Sequence, residues 1–133
     1  MSENLAVQFA NEAFYLAFLS GDFAAMDALW ASQTNVACIH PGWEPLLGRD
    51  AVMDSWKSIF SESEIPDFAS REVSTLVRGD FAVVLTYEIF DDTFLVATNI
   101  FSREDDNWKI IHHQSGGCPP VADEEGPTKP VLQ

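Results

Sequence analysis

What most constrains this chain is the stretch from Phe81 to Ser115, where three apolar-rich segments are parted only by short acidic turns. Phe81–Phe90 ends at Asp91-Asp92, Thr93–Arg103 ends at Glu104–Asn107, and Trp108–Ser115 follows. β-Branched and aromatic residues dominate the first two segments and open the third, and aspartate tolerates the backbone that a tight turn requires. Strands joined so closely must pair antiparallel with their neighbours, so this half of the chain is a meander. Phe68–Arg78, mixed and polar, joins it through Gly79-Asp80 as a strand with one wet face.

Before Pro66 the hydrophobic period is helical. Leu5, Phe9, Ala13 and Leu16 recur at helical spacing across residues 3 to 20, widened by Phe14, Ala17 and Phe18. Ser2 suits the start of that helix and Gly21 its stop. Asp22 caps a second, short helix from Phe23 to about Trp30. Val36–His40 reads as a short apolar strand closed by Pro41-Gly42. A loop through Trp43 leads to Gly48, which opens a third helix with Val52, Trp56, Ile59 and Phe60 on one stripe. Helices first and long antiparallel strands afterwards is an α+β order. A strongly bent sheet can wrap such helices into a cone with a mouth. This domain spans residues 1–117. Four of the seven prolines lie in the last 15 residues, so 118–133 is expected to be an extended or disordered tail.

Seven Lys and Arg against 21 Asp and Glu leave a net charge of −14, and the acids are spread through the body of the chain. That field repels phosphate backbones and anionic headgroups, which argues against nucleic-acid or membrane partners. No uncharged apolar run is long enough to span a bilayer, and Met1-Ser2-Glu3-Asn4 does not look like a secretion signal. Two cysteines, Cys38 and Cys118, do not make a disulfide framework, so a reducing cytoplasm is expected.

Four pieces of sequence carry a resemblance. They are Phe14-Tyr15 with Gly21-Asp22, then Cys38-Ile39-His40-Pro41-Gly42 leading to Gly48-Arg49, then Ala97-Thr98-Asn99-Ile100-Phe101, and Trp108–His113 with Ser115-Gly116. In this order and spacing the chain resembles the SnoaL-like branch of the NTF2-like superfamily over about residues 3–116. The resemblance implies a cone-shaped sheet wrapped round two to three N-terminal helices, a central pocket and frequent dimers. It leaves the activity open, because that superfamily holds isomerases, dehydratases, hydrolases, transport factors and association domains. The Asp–Arg–Asp relay of the hydrolase branch cannot be placed here. The steroid-isomerase pattern needs a pocket carboxylate, and neither Glu88 nor Asp22 fits that part well, so these two specific activities are disfavoured.

No paired-cysteine, HExxH, GxSxG, P-loop or GxGxxG motif occurs. His112 and His113 are strand neighbours whose side chains leave opposite faces, so neither a metal site nor a cofactor is expected. A two-residue turn at Asp91-Asp92 pairs Phe90 with Thr93 and hence Leu85 with Thr98. Phe81, Val83, Leu85, Tyr87 and Ile89 then share a face with Phe94, Val96, Thr98, Ile100, Ile111, His113 and Ser115. This is the more apolar face, and it is assigned to the helices and the pocket. A one-residue bulge at the second turn would exchange His112 with His113.

His113 is the leading candidate for a general acid or base, because an imidazole both takes and gives protons near neutrality. His40, at the end of the short strand, is the second, and Tyr15 supplies a phenol. Trp43 and Trp56 can wall a ligand, Tyr87 and Thr98 can hydrogen-bond it, and Asn99 completes the set. Each has a structural reading beside the functional one. The histidines suit loop-fixing or core hydrogen bonds, Tyr15, Trp56 and Tyr87 suit core fillers, and Asn99 beside Arg103 suits a sheet-face contact. The expected function is that of a cofactor-free lyase or isomerase acting on a small, mostly apolar, neutral molecule. The alternative is a non-catalytic ligand-binding or association module. The opposite sheet face, with Val84, Phe90, Leu95, Phe101 and Ile110, is also apolar, so a two-fold homodimer through it is expected.

Overall fold

The computed structural model describes residues 2–62, 64, 65 and 67–121; the expected tail beyond 121 lies outside them. Three helices, α1 (Glu3–Ser20), α2 (Phe23–Leu29) and α3 (Arg49–Glu62), precede the long strands. Local chemistry sets their ends. The Ser2 side chain accepts the Leu5 N–H, and Asp22 accepts the Ala25 N–H at the start of α2. Gly21, with φ +61°, adopts the left-handed turn that ends α1. The Arg49 guanidinium donates to the carbonyls of Asp27, Trp30 and Ala31, which ties the start of α3 to the end of α2.

The strands are β1 (Ala37–Ile39), β2 (Leu46–Leu47), β3 (Ala69–Arg78), β4 (Phe81–Phe90), β5 (Thr93–Glu104) and β6 (Asn107–Gly117). They form one sheet in the order β2-β1-β6-β5-β4-β3. The meander β3 to β6 is antiparallel throughout. β1 adds to it in parallel, with Cys38 opposite His113, and β2 folds back on β1 from the stretch expected to be a loop. That parallel step brings the end of β1, and so His40, to the same part of the sheet as His113. Among the described residues no helix is long and apolar enough to cross a membrane.

Both hairpin registers match the turn arithmetic: Phe90 pairs with Thr93, Leu85 with Thr98, and Glu104 with Asn107. The face assignment does not hold. On β4 the buried residues are Ala82, Val84, Thr86 and Glu88, and on β5 they include Leu95, Ala97, Asn99 and Phe101. Tyr87 and Thr98, expected in the pocket, lie on the opposite face with Val83, Leu85 and Ile100. The assignment rested on apolarity. The covered face instead carries polar groups that satisfy one another, which makes their burial tolerable.

His113 is nonetheless on the covered face, because a second departure cancels the first. Phe101 pairs with Ile110, but Ile100 pairs with His112, leaving Ile111 as an extra residue. This bulge sits inside β6 rather than in the turn, and it sets His113 opposite Asn99.

The stripe expected to bury α1 is also offset. Leu5, Phe9 and Leu16 are 47%, 55% and 65% exposed, whereas Val7, Asn11, Phe14, Tyr15 and Ala17 are buried. The true stripe runs Val7, Asn11, Phe14, Tyr15, which is i, i+4, i+7 and i+8. An asparagine in a buried stripe requires a polar partner across the interface. The covered sheet face supplies it.

Candidate active site

Between α1, α3 and the covered face of the sheet lies a cavity of about 290 Å³. Its walls are largely aromatic and aliphatic, including Phe14, Phe18, Trp56, Phe68 and Leu95, with Trp43 at the rim. Four polar side chains reach it: Tyr15 from α1, His40 from the end of β1, Glu88 from β4 and His113 from β6. Such a cavity, apolar with a few convergent polar groups, is the usual form of a small-molecule site.

The polar groups form a connected network. Tyr15 donates its O–H to Glu88 Oε2 at 2.6 Å, and Ser115 donates to Glu88 Oε1 at 2.6 Å. Asn99, with no exposed surface, donates from Nδ2 to Asn11 Oδ1 at 2.9 Å and to the Tyr15 oxygen at 3.1 Å. Asn11 in turn donates to Thr86 at 3.1 Å. With the Asn99 amide nitrogen so committed, its Oδ1 accepts from His113 Nδ1 at 2.6 Å. His113 therefore carries its proton on Nδ1 and keeps Nε2 as a lone pair.

His40 is fixed in the other tautomer. The Ser55 hydroxyl gives its single hydrogen to the Val52 carbonyl at 2.6 Å, so it accepts from His40 Nε2 at 2.9 Å. The two imidazoles lie 6.3 Å apart between centroids, and His40 packs edge-on against Trp43 and Trp56.

Burial governs the ionisation. It depresses His113 to about 3, helped by the neighbouring His40 and His112, and depresses His40 to about 4. Both are neutral imidazoles at physiological pH. Burial raises Glu88, against the two hydrogen bonds from Ser115 and Tyr15 that favour its anion. Burial, with the Glu88 carboxylate beside it, holds the Tyr15 phenol well above its ordinary value. Cys38 is pushed up to about 12, so it stays a thiol.

Of the residues singled out from sequence, His113, His40, Tyr15, Trp43 and Trp56 line the cavity. Asn99 lies behind it as the partner of His113, and Tyr87 and Thr98 are away from it. On the outer face Tyr87 stacks with the Arg71 guanidinium at 5.4 Å. By the alternation read from sequence Glu88 falls on the face opposite the expected pocket, so its place here is a correction; Asn11, Thr86 and Ser55 are not singled out by that reading. The signal for the network was Asn11, a polar residue at a core position of α1. Among the described residues no cluster of three or more His, Cys, Asp or Glu could hold a metal ion.

A bent six-stranded sheet, open at one end and closed by helices round a partly polar cavity, defines the NTF2-like α+β cone. This chain belongs to the SnoaL-like domain family, whose profile matches residues 7–119. Among solved structures it is similar to a putative dehydratase of the NTF2-like family from Streptomyces avermitilis. That match is 32% identical and covers 89% of this chain and 97% of the other, with a TM-score of 0.82. It is also similar to a putative calcium/calmodulin-dependent protein kinase type II association domain from Thiobacillus denitrificans. The identity there is 30%, over 83% of this chain and 93% of the other, with a TM-score of 0.75. Among curated proteins, F-box protein SKIP8 of Arabidopsis thaliana is 30% identical over 112 residues, or 83% of this chain. The chain spans about half of that relative, 48% of its length.

Proposed function

We propose that this protein is a cofactor-free lyase or isomerase that moves a proton on a small, mostly apolar, neutral molecule. The observation that carries the reading is the convergence of His113, His40, Tyr15 and Glu88 on one apolar-walled cavity. A pocket that only bound a greasy ligand would need one polar group, whereas proton transfer needs an acceptor and a route onward. His113 Nε2 takes a proton from the carbon beside a carbonyl. In an elimination the imidazolium passes that proton to the departing hydroxyl. The C–H and C–O bonds break, a C=C bond forms, and water leaves. In an isomerisation the proton returns to a different carbon. Burial makes neutral His113 a weaker base and its imidazolium a stronger acid. Removal of the C–H proton therefore leans on the adjacent carbonyl to acidify it, and the proton once taken is readily passed on. The 32% identity to a putative dehydratase, over nearly the whole of both chains, supports the same class of chemistry.

His113→Gln keeps a hydrogen-bonding partner for Asn99 and removes the base. With β-hydroxy ketones as test substrates, turnover should fall by about 10²–10⁴-fold while affinity changes little. Undiminished turnover in the folded variant would remove His113 from the mechanism.

A dimer accompanies this reading, but not through the face expected from sequence, because Val84, Phe101 and Ile110 are buried in the core of the single chain. In the single chain, Leu85, Tyr87, Ile89, Phe94 and Ile100 are only half-buried on a sheet face that no helix covers, and Val96 beside them is 37% exposed. Such a face is closed most simply by a second copy across a two-fold axis. Sedimentation equilibrium at micromolar concentration should give twice the 14.8 kDa chain mass, and Val96→Glu should shift it towards one. A monomeric wild type would remove the dimer. A second reading, an association module without turnover, draws on the 30% identity to a kinase association domain. It predicts an intact dimer and no reaction with any substrate. Both cysteines are free thiols, which supports the cytoplasm as the compartment.

A further inference from the structure

The cavity has an uneven supply of hydrogen-bonding groups, and the imbalance bears on what it can hold. Its side-chain donors are nearly all committed. The Tyr15 O–H goes to Glu88, the His113 Nδ1–H to Asn99, and the His40 Nε2–H to Ser55. Acceptors remain open. No described residue hydrogen-bonds to His113 Nε2. Each Glu88 oxygen receives a single O–H, which leaves further lone pairs on a group that reaches the cavity. A proton on Glu88 would turn one oxygen into a donor, but the two hydroxyl donors already aimed at it hold the group as an acceptor. His40 Nδ1 is met only by the Cys38 sulfur at 3.9 Å.

The exceptions among donors are two tryptophans of the wall, Trp43 at the exposed rim and, deeper, Trp56. The Trp56 indole N–H is buried and has no hydrogen-bond partner among the described residues, and Trp56 forms part of the cavity wall. A buried donor left unpaired costs about 1–3 kcal/mol, but this nitrogen has almost no surface open to the cavity, so it does not hold a ligand there.

We infer that the cavity selects small apolar molecules bearing hydroxyl donors, that is alcohols, enols or phenols, held by His113 Nε2 and Glu88. This deepens the proton-transfer reading and rests only on its binding half. A donor-poor, acceptor-rich site rejects ethers and carboxylates of the same shape. An ether leaves the two acceptors facing lone pairs, and a carboxylate brings a charge and acceptors only into a buried pocket already rich in acceptors. The principle is asymmetric. A site built to hydrogen-bond a hydroxyl discriminates strongly against an analogue that lacks it, because the buried acceptors are then left unpaired.

The test compares 4-methylphenol with 4-methylanisole and 4-methylbenzoate on the full wild-type chain, following the tryptophan indole N–H signals by NMR titration. The phenol should bind at least about tenfold more tightly than the ether, and the benzoate should not compete. Glu88→Gln, confirmed as folded by circular dichroism, should narrow the phenol–ether gap several-fold, since an amide presents donors where the carboxylate presented none. Equal or tighter binding of the ether, or no binding of any probe at millimolar concentration, overturns the inference. Phenol preference without turnover of any substrate would sink the catalytic reading and leave this one standing; turnover with no phenol preference would do the reverse.

Discussion

Replacing Asn99 by leucine should destabilise the fold by about 3–5 kcal/mol, a large part of the 5–15 kcal/mol that holds a domain of this size together. The side chains are nearly the same volume, so packing is not the cause. Asn99 is wholly buried and serves three polar partners: Asn11, Tyr15 and His113. Leucine leaves all three facing hydrocarbon, and each orphaned group costs about 1–3 kcal/mol, with some relief from rearrangement. The measurement is the urea midpoint at constant m-value. A loss below 1 kcal/mol would mean that the network does not hold the helix to the sheet. Asn99→Asp separates structure from charge. It keeps the acceptor for His113 Nδ1 and places a carboxylate against it, so the imidazole should titrate well above its value of about 3. The histidine NMR signals report that shift directly, and a purely structural role for Asn99 would not move it.

The same residue marks where sequence reasoning stops. Elements were legible because they depend on local periodicity and turn chemistry. Ser2, Gly21 and Asp22 cap the helices as their residue types require, and the two aspartate turns set the hairpin registers. Faces were not legible by apolarity. On β4 the odd-numbered residues Val83, Leu85 and Ile89 are greasier than the even-numbered Ala82, Thr86 and Glu88, yet the even set is buried. Greasy residues accumulate on a sheet face that meets another surface as readily as on one that meets a helix, so ranking two faces by composition is a weak guide. The bulge at Ile111 was foreseeable only as a risk, because an extra residue leaves no trace in the hydrophobic pattern. Asn11 did carry information. It sits at i+4 from Val7 and four before Tyr15, so burying Phe14 and Tyr15 buries it too. Once it is buried, the facing strand has to supply polar partners, and only the Thr86, Glu88 and Asn99 face can.

Acid should destabilise this protein well before general acid denaturation, and the two buried histidines set the window. An imidazole in the unfolded chain titrates near 6.5, whereas His40 and His113 in the fold titrate near 4 and 3. As pH falls below about 6.5 the unfolded state takes up protons that the folded state refuses. Stability is therefore full above that value and is lost progressively as pH falls towards the two folded values. At pH 4.5, two units below the unfolded value, each histidine has removed about 2–3 kcal/mol, at about 1.4 kcal/mol per unit. Half-buried His112, also lowered by burial, adds a smaller loss of the same sign. Glu88 acts in the opposite sense: its raised value means that the fold takes up its proton first, so its buried charge becomes less of a burden as pH falls. Tyr15 and Cys38, both raised, do not titrate in this range. Urea unfolding of wild type between pH 7 and pH 4.5 should show stability falling by about 4–5 kcal/mol from the pair, less the Glu88 offset. In His113→Gln the fall should be about half as steep, because one of the two proton-refusing sites is gone. An unchanged slope in that variant would mean that the ring at 113 titrates in the fold as it does in the unfolded chain, so that burial does not hold it neutral as pH falls.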